Sequence, residues 1–237
     1  MTGMIRTALL AASAALLAAC GGDASEGTDS NATMTTGAAV SADESYLRED
    51  DYIMGSADAP VVVLEYASVA CPACAVWQAQ VYPEFKEKYV DTGKVRYVFR
   101  PFPTNPIAMA DTGHMLAYCG AREDYYTNIK LQFDRQRQLM DMLQRGNGRE
   151  AYVSLAAASG LSEEEFVACL QNEEIRERYD EVVQEGSDLG VRGTPSFFIN
   201  GERFTGGSPT LENLEKVMLP LLGEPVPEAD GDSDGSE

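Results

Sequence analysis

The sequence is poor in basic residues. Its 18 lysines and arginines stand against 38 aspartates and glutamates, which gives a net charge of −20 at pH 7. Nucleic-acid binding depends on clustered lysine and arginine that neutralise phosphates, so this composition argues against a nucleic-acid partner. It also argues against electrostatic binding to anionic lipid. Much of the excess acid lies near the two ends of the chain, where it chiefly favours solubility.

The sequence also lacks an apolar run long enough to cross a membrane. Its most apolar stretch, residues 8–19, contains only alanine, leucine and one serine, whereas a spanning helix needs about 20 apolar residues. The short run and the preceding Arg6 are instead typical of a secretory signal peptide. We therefore expect residues 1–20 to direct the chain out of the cytoplasm.

The end of this segment, Leu17-Ala18-Ala19-Cys20, resembles the lipobox of bacterial lipoproteins. That resemblance implies cleavage before Cys20 and attachment of lipid to this residue. The protein would then be lipid-anchored in the bacterial cell envelope and would face the periplasm. The alternative is an ordinary signal peptide with a nearby Ala-x-Ala-type cleavage site.

Composition divides the rest of the chain into three regions. Residues 21–45 are rich in small and acidic residues, so they cannot bury enough apolar surface to offset the entropy lost on folding. We expect a flexible linker there and, for the same reason, a disordered acidic tail over residues 224–237. Residues 46–223 are long enough for one domain with a substantial core.

The most informative motif is Cys71-Pro72-Ala73-Cys74, which stands between a strand-like run at residues 61–66 and a helix-like segment. A thiol in the first turn of a helix faces unpaired backbone N–H groups and the positive end of the helix dipole. Both favour the thiolate, with a pKa between about 3.5 and 7.5 in such motifs, and the thiolate is the species that attacks disulfides. Cys71 is therefore the predicted nucleophile and Cys74 the resolving thiol. Half of a zinc site is the alternative.

The two remaining cysteines, Cys119 and Cys169, lie on separate helix-like segments. In an oxidising compartment two leftover cysteines usually pair, and a disulfide between these two would close a long loop. Two buried free thiols are the alternative. A zinc site made of four cysteines normally needs two close pairs, and these two are far apart in the sequence.

Hydrophobic patterns predict an α/β chain with a helical block in its middle. Strands are expected at residues 61–66, 95–100, 196–199 and 203–205, the last two joined by a hairpin turn at Asn200-Gly201. Helices are expected at residues 72–90, 107–121, 125–143, 149–158 and 163–170, then from residue 172 onward and from 208 to 222. The first strand, helix and second strand form a parallel βαβ unit. The helices between residues 104 and 190 form an insertion in this frame.

This order of elements is similar to the thioredoxin fold with a helical insertion, the pattern of the DsbA-like thiol:disulfide oxidoreductases. The resemblance covers residues 50–222 and rests on three motifs. These are residues 55–60 before the first strand, Glu65 with the Cys-x-x-Cys motif, and residues 191–195, Val-Arg-Gly-Thr-Pro, before the hairpin. Each motif alone is a weak indication, but the three in this order are specific.

The resemblance implies roles for individual residues. Thr194-Pro195 matches the family's cis-proline dipeptide beside the Cys-x-x-Cys helix. There the backbone of Thr194 pairs with an extended substrate, and Pro195 offers no N–H; a trans proline that opens a strand is the alternative. Glu65 matches a buried acid whose raised pKa lets it exchange protons with Cys74. A surface glutamate at a strand end is the alternative.

The chain departs from the family at Ala73, where many strongly oxidising members have histidine. Without that histidine we expect a less acidic nucleophile and a milder oxidant. The sole histidine, His114, lies on the first inserted helix and is expected to be a surface or packing residue, while Trp77 is expected in the core near the site. Cys119 and Cys169 are similar to the second cysteine pair found in part of the family.

These inferences predict an exported thiol:disulfide oxidoreductase that oxidises cysteine-containing exported proteins through a mixed disulfide on Cys71. A membrane redox partner would reoxidise it, and no cofactor or metal is expected. The same chemistry run as a reductase or isomerase is the close alternative, because direction depends on reduction potential and not on fold. A non-catalytic binding module with a structural Cys71–Cys74 disulfide is a second alternative, and a zinc protein is a third.

Overall fold

The structure is a computed structural model that describes residues 44–227. Its architecture confirms the predicted α/β fold with a helical insertion. The predicted signal peptide, the lipidation site Cys20, nearly all of the predicted linker and residues 228–237 of the predicted tail lie outside the described residues. The boundaries predicted for these regions stay predictions.

The described strands form one mixed sheet. They are β1 (Ile53–Met54), β2 (Val61–Ala67), β3 (Val95–Pro101), β4 (Ser196–Ile199) and β5 (Glu202–Arg203). Their spatial order is β1-β3-β2-β4-β5. β2 and β3 are parallel, and the other neighbouring pairs are antiparallel.

The described α-helices lie on the faces of this sheet and in the insertion. They are α1 (Pro72–Gln80), α2 (Tyr82–Phe85), α3 (Ile107–Tyr118), α4 (Tyr125–Asp134), α5 (Gln136–Gln144), α6 (Gly148–Ala158), α7 (Glu163–Leu170), α8 (Glu173–Asp188) and α9 (Leu211–Leu221). The insertion comprises α3 to α8. None of the helices in residues 44–227 is long and apolar enough to cross a membrane.

β2 is the central strand, and all seven of its residues are buried. Successive side chains of a strand point to opposite faces. The odd-numbered apolar residues of β2 therefore pack in one cluster with Trp77 of α1, and the even-numbered ones pack in another with Val182 of α8. Glu65 belongs to the odd-numbered series, so the strand period directs its side chain toward α1.

The helix predicted over residues 72–90 is divided in the structure. α1 ends at Gln80, α2 follows, and Lys86–Val90 form a π-helical turn. Pro83 accounts for the break, because proline has no N–H for the preceding turn and its ring clashes with the carbonyl four residues earlier. The prediction of one continuous helix was therefore wrong.

The helix predicted over residues 125–143 is also divided, into α4 and α5, which meet at Arg135. No proline or glycine marks this break, and nothing in the structure explains it. The hairpin turn is confirmed: φ is positive at Asn200 (47°) and at Gly201 (82°). The short strand β1 was not predicted.

The insertion has an apolar cluster of its own, which includes Leu116 of α3 and Leu155 of α6. A disulfide joins Cys119, directly after α3, to Cys169 in α7. Because these two sulfurs are bonded to each other, they do not form one site with the Cys-x-x-Cys motif. Within residues 44–227, no group of three or more His, Cys, Asp or Glu side chains is arranged to hold a metal ion.

Replacing both Cys119 and Cys169 by alanine is expected to lower the free energy of unfolding by about 2–4 kcal/mol, because the disulfide restricts a long loop in the unfolded chain. The two residues are 50 positions apart. Urea unfolding of the purified chain, followed by the fluorescence of Trp77, measures the change. A variant with both Cys71 and Cys74 replaced by alanine is the control, since that short loop restricts the unfolded chain far less. If both variants lost the same free energy of unfolding, the prediction would be contradicted.

Candidate active site

Cys71 and Cys74 lie where β2 leads into α1. Cys71 is the N-cap of α1, Pro72 is its first residue, and no side chain caps this helix end. Proline suits the first position because an N–H there would have no partner within the helix. Both cysteines are free thiols in the structure. Cys71 keeps 8% of its surface exposed while Cys74 is fully buried, so only Cys71 is open to attack from outside.

The Cys71 thiol has a pKa lowered to about 5. The main cause is a hydrogen bond that the Cys74 thiol donates to the Cys71 sulfur. Partial burial opposes this effect, and the Thr194 side chain and the backbone N–H groups of Cys74 and Ala73 add to the lowering. Since the thiolate is the nucleophile in disulfide exchange, Cys71 is in its reactive form at neutral pH.

The Cys74 thiol differs from Cys71 in both burial and acidity. Burial raises its pKa strongly, and the hydrogen bond to Cys71 and the nearby Glu65 carboxylate add to the rise. Cys74 is therefore a neutral thiol over the whole physiological range. A partly accessible acidic sulfur and a fully buried neutral one are what an attacking and a resolving thiol require.

Glu65 is fully buried within β2. Burial raises the pKa of its carboxyl to about 8, against the opposing effect of hydrogen bonds from Tyr97 and Gln78. The Tyr97 hydroxyl and the Gln78 amide both donate to Oε2, the latter at 3.1 Å. Oε1 has no hydrogen-bond partner among the described residues. Glu65 is thus mostly protonated at pH 7 and has a proton to give.

Sequence reasoning missed Tyr97 and Gln78. Tyr97 lies on β3 opposite Val63 in the parallel register. It therefore shares a sheet face with Glu65, and a tyrosine in a strand next to a buried acid was the available signal. Gln78 follows Cys74 by four residues on α1, a spacing that places both side chains on one helix face.

The Thr194-Pro195 peptide bond is cis and directly precedes β4. β4 runs antiparallel to β2 with Tyr66 opposite Ser196, so the residues before β4 lie next to those that follow β2. The Cys71 sulfur accordingly lies 3.4 Å from the Thr194 carbonyl oxygen, to which it donates a hydrogen bond when it is protonated. The backbone of Thr194 is in contact with the candidate nucleophile.

His114 is buried rather than exposed, so the surface interpretation was wrong and the packing interpretation holds. Burial lowers its pKa to about 3, and the ring is neutral at pH 7. Its Nε2 accepts a hydrogen bond from the backbone N–H of Val69 at 3.1 Å, a contact with the active-site segment that the sequence did not indicate. Trp77 is buried in the core beside the site, as predicted, and its indole N–H donates to the Pro209 carbonyl at 2.8 Å.

Comparison with known proteins agrees with this geometry. A family model described as Thioredoxin matches residues 47–218. The crystal structure of Wolbachia pipientis alpha-DsbA1 superposes with a TM-score of 0.63 at 29% sequence identity, over 74% of this chain and 92% of that one.

Relatives among curated proteins have related names. A Rickettsia bellii protein named "Putative protein-disulfide oxidoreductase" is 31% identical over 65% of this chain and 58% of its own length. A Bacillus anthracis protein named "Probable disulfide bond formation protein D" is 28% identical over 70% of this chain and 75% of its own. The chain thus spans less than two thirds of the Rickettsia relative. With a family model that matches most of its length and the fold of alpha-DsbA1, the chain belongs to the thioredoxin family, among its DsbA-like members.

Proposed function

We propose that the chain is a thiol:disulfide oxidoreductase that introduces disulfides into cysteine-containing exported proteins. The observation that carries the proposal is the pairing of an acidic, partly exposed Cys71 with a buried, neutral Cys74 at the start of α1. The names of its relatives, protein-disulfide oxidoreductase and disulfide bond formation protein, support the same activity.

The reaction starts from the oxidised protein, in which Cys71 and Cys74 form a disulfide. A substrate thiolate attacks the Cys71 sulfur, the Cys71–Cys74 bond breaks, and the electron pair leaves on the Cys74 sulfur. Burial raises the pKa of Cys74 strongly, so this sulfur leaves more readily when a proton reaches it. Glu65 supplies that proton, since burial is the main cause of its raised pKa and burial persists when Cys71 and Cys74 are bonded.

A second substrate thiolate then attacks the substrate sulfur of the mixed disulfide. The substrate disulfide forms and Cys71 leaves as a thiolate, which its pKa of about 5 makes a good leaving group. The substrate has lost two electrons and the Cys71–Cys74 pair has gained them. A membrane redox partner removes these electrons and restores the disulfide.

The backbone of Thr194 is proposed to hold the substrate. Its carbonyl already lies 3.4 Å from the Cys71 sulfur. Pro195 contributes no N–H, so an extended substrate segment pairs with Thr194 alone at this point. This arrangement would place a substrate cysteine beside Cys71 with little dependence on the substrate's other side chains.

The proposed setting is the bacterial cell envelope. Lipid on Cys20 would hold the domain at a membrane with its site facing the periplasm, where exported proteins form their disulfides. The described residues do not include Cys20, so this part of the proposal rests on the lipobox-like sequence alone.

The equilibrium reduction potential of the Cys71–Cys74 pair tests the function. It is measured in glutathione buffers on the purified full-length chain, with the fluorescence of Trp77 as the readout. We expect a value of about −120 to −180 mV, the range of strong oxidants and isomerases, and Ala73 in place of histidine favours its less oxidising end. In parallel, the oxidised chain should restore activity to a reduced protein that needs its disulfides.

Other results would identify the alternatives. A potential of about −270 mV, that of thioredoxin, would overturn the oxidase direction and make the chain a tethered reductase. A disulfide that resists reduction below about −300 mV, as structural disulfides do, would support the binding module. Stoichiometric zinc bound to the purified chain would support the zinc protein.

A further inference from the structure

One side chain of the helical insertion, Gln136, donates hydrogen bonds to backbone carbonyls of the segment that ends at Cys71. This residue is the first of α5 and is 92% buried, with 8% of its surface exposed. Its amide nitrogen donates to the carbonyl oxygens of Val69 and Cys71, both at 2.9 Å. A primary amide has two N–H groups, so both N–H groups of Gln136 form hydrogen bonds with the backbone of residues 69–71.

These bonds orient the peptide units that precede α1. The carbonyl of Cys71 also accepts the first helical hydrogen bond, from the N–H of Ala75 at 3.1 Å. Gln136 and α1 together therefore fix the peptide that joins Cys71 to Pro72. The N–H of Val69 donates a hydrogen bond to Nε2 of His114 at 3.1 Å. Side chains of both α3 and α5 therefore hydrogen-bond to this segment.

The orientation of Cys71 decides how well its thiolate is stabilised. Besides the Thr194 side chain, the groups that stabilise it are the Cys74 thiol and the backbone N–H groups of Cys74 and Ala73, which all lie at the start of α1. Hydrogen bonds weaken steeply as they bend, so these groups act fully only while the Cys71 sulfur faces the start of α1. A backbone free to turn at residues 69–71 would lose part of this stabilisation.

We propose that Gln136 is a positioning residue for Cys71, which holds residues 69–71 so that the sulfur faces the donors at the start of α1 and the thiolate is favoured. The proposal rests on the oxidoreductase function proposed above. It predicts an effect on only one redox state, because Cys71 carries no charge when it is bonded to Cys74. The helical insertion would thus help to set the redox balance of the site.

The test is Gln136→Met, which removes both donors and keeps a side chain of similar length. Gln132→Met is the matched control. Gln132 is likewise buried, and its amide nitrogen donates to two backbone carbonyls, those of Gly113 at 2.9 Å and Asn128 at 3.3 Å, neither of which is in residues 69–71. Two quantities are measured on the full chain: the pH midpoint of Cys71 alkylation by iodoacetamide, and the equilibrium constant with glutathione.

In Gln136→Met we expect the alkylation midpoint to rise by about one pH unit. The equilibrium should move about tenfold toward the oxidised chain, since one unit of pKa corresponds to a factor of ten. Gln132→Met should leave both quantities within about twofold of the unsubstituted chain. Among the cysteines of residues 44–227, mass spectrometry should find Cys71 alone alkylated, because Cys74 is buried and neutral and Cys119 and Cys169 are bonded to each other.

Two results would overturn the proposal. One is a Gln136→Met variant that is less stable but has an unchanged midpoint and equilibrium, which would make Gln136 merely structural. The other is an equal shift in Gln132→Met, which would indicate general loosening of the insertion. If Gln136→Met does not fold, Gln136→Asn replaces it. The asparagine amide is one methylene too short to reach the carbonyls of Val69 and Cys71, so the same two quantities should shift. An unsubstituted chain that fails to exchange with glutathione would defeat the proposed function, and the alkylation midpoint would still test Gln136.

Discussion

Replacing Cys74 by serine is expected to arrest the chain as mixed disulfides with its substrates. Cys71 remains nucleophilic and partly exposed, so it attacks a substrate disulfide, and without the Cys74 thiol only a substrate thiol can then release it. Turnover should fall on the order of a thousandfold or more, because without Cys74 the chain has no disulfide to transfer. Gel electrophoresis without reductant should show adducts of higher mass that disappear when reductant is added. Cys71→Ser should form none.

The choice of replacement at Cys74 also tests what makes Cys71 acidic. The main cause of the pKa of about 5 is the hydrogen bond from the Cys74 thiol. A serine hydroxyl at this position can still donate, whereas alanine cannot. A hydrogen bond to a charged group contributes about 1.5–3 kcal/mol, so the pKa of Cys71 should be about 1 to 2 higher in Cys74→Ala than in Cys74→Ser.

The ultraviolet absorbance of the thiolate, followed against pH in each single-thiol variant, measures this difference. A Cys71→Ser variant supplies the baseline, because its remaining thiol is neutral over the range. Equal pKa values in the alanine and serine variants would contradict the assignment. The acidity of Cys71 would then come from the start of α1 rather than from its partner sulfur.

Local sequence was enough to locate the two reacting sulfurs, which the Cys-x-x-Cys motif fixes within one helical turn. Glu65 came from the family resemblance, and the strand period explains why its side chain faces α1. Thr194 and Pro195 came from the family resemblance, and the antiparallel pairing of β4 with β2 places them beside Cys71. These features depend on neighbours in sequence or on a regular sheet, and for that reason they could be predicted from the sequence.

The groups that surround the reacting atoms could not be predicted from the sequence in this way. His114 contacts Val69 across 45 positions, and Gln136 contacts it across 67. Each contact depends on how the inserted helices pack against the sheet, and for Gln136 also on the break at Arg135, which no residue type signals. Pro83 shows the opposite case, since the helix break that it causes was readable from the sequence and was overlooked.

Glu65→Gln is expected to make the chain more stable and its chemistry slower. The pKa of the Glu65 carboxyl is about 8 in the folded chain and 4.5 as its ordinary value. Between these pH values the folded chain holds a proton that the unfolded chain releases. The free energy of unfolding therefore falls as pH rises, by about 1.4 kcal/mol per pH unit, and levels off below about 4.5 and above about 8.

Glutamine is neutral at every pH, and its carbonyl can still accept the hydrogen bond from Tyr97. The variant should therefore be more stable than the unsubstituted chain by about 3 kcal/mol at pH 7, and the two should converge near pH 4. Urea unfolding from pH 4 to pH 9 measures this difference. The reduced chain is the one to use, because the pKa of about 8 includes the raising effect of Cys71, which is lost once Cys71 is bonded to Cys74. If the free energies of unfolding of the two chains changed in parallel from pH 4 to pH 9, the raised pKa of Glu65 would be contradicted.

The same variant tests the proton transfer to Cys74. Removing a positioned acid typically slows a reaction by about a hundredfold or more, so attack of a substrate thiol on the oxidised chain should be slower by that factor at pH 7. Asp111→Asn is the matched control, since Asp111 also accepts a hydrogen bond from a tyrosine, Tyr179 at 2.6 Å, but lies on α3 in the insertion. Glu65→Gln with a higher stability and an unchanged rate would mean that the proton reaches Cys74 from solvent. The buried carboxyl would then cost stability without serving the exchange.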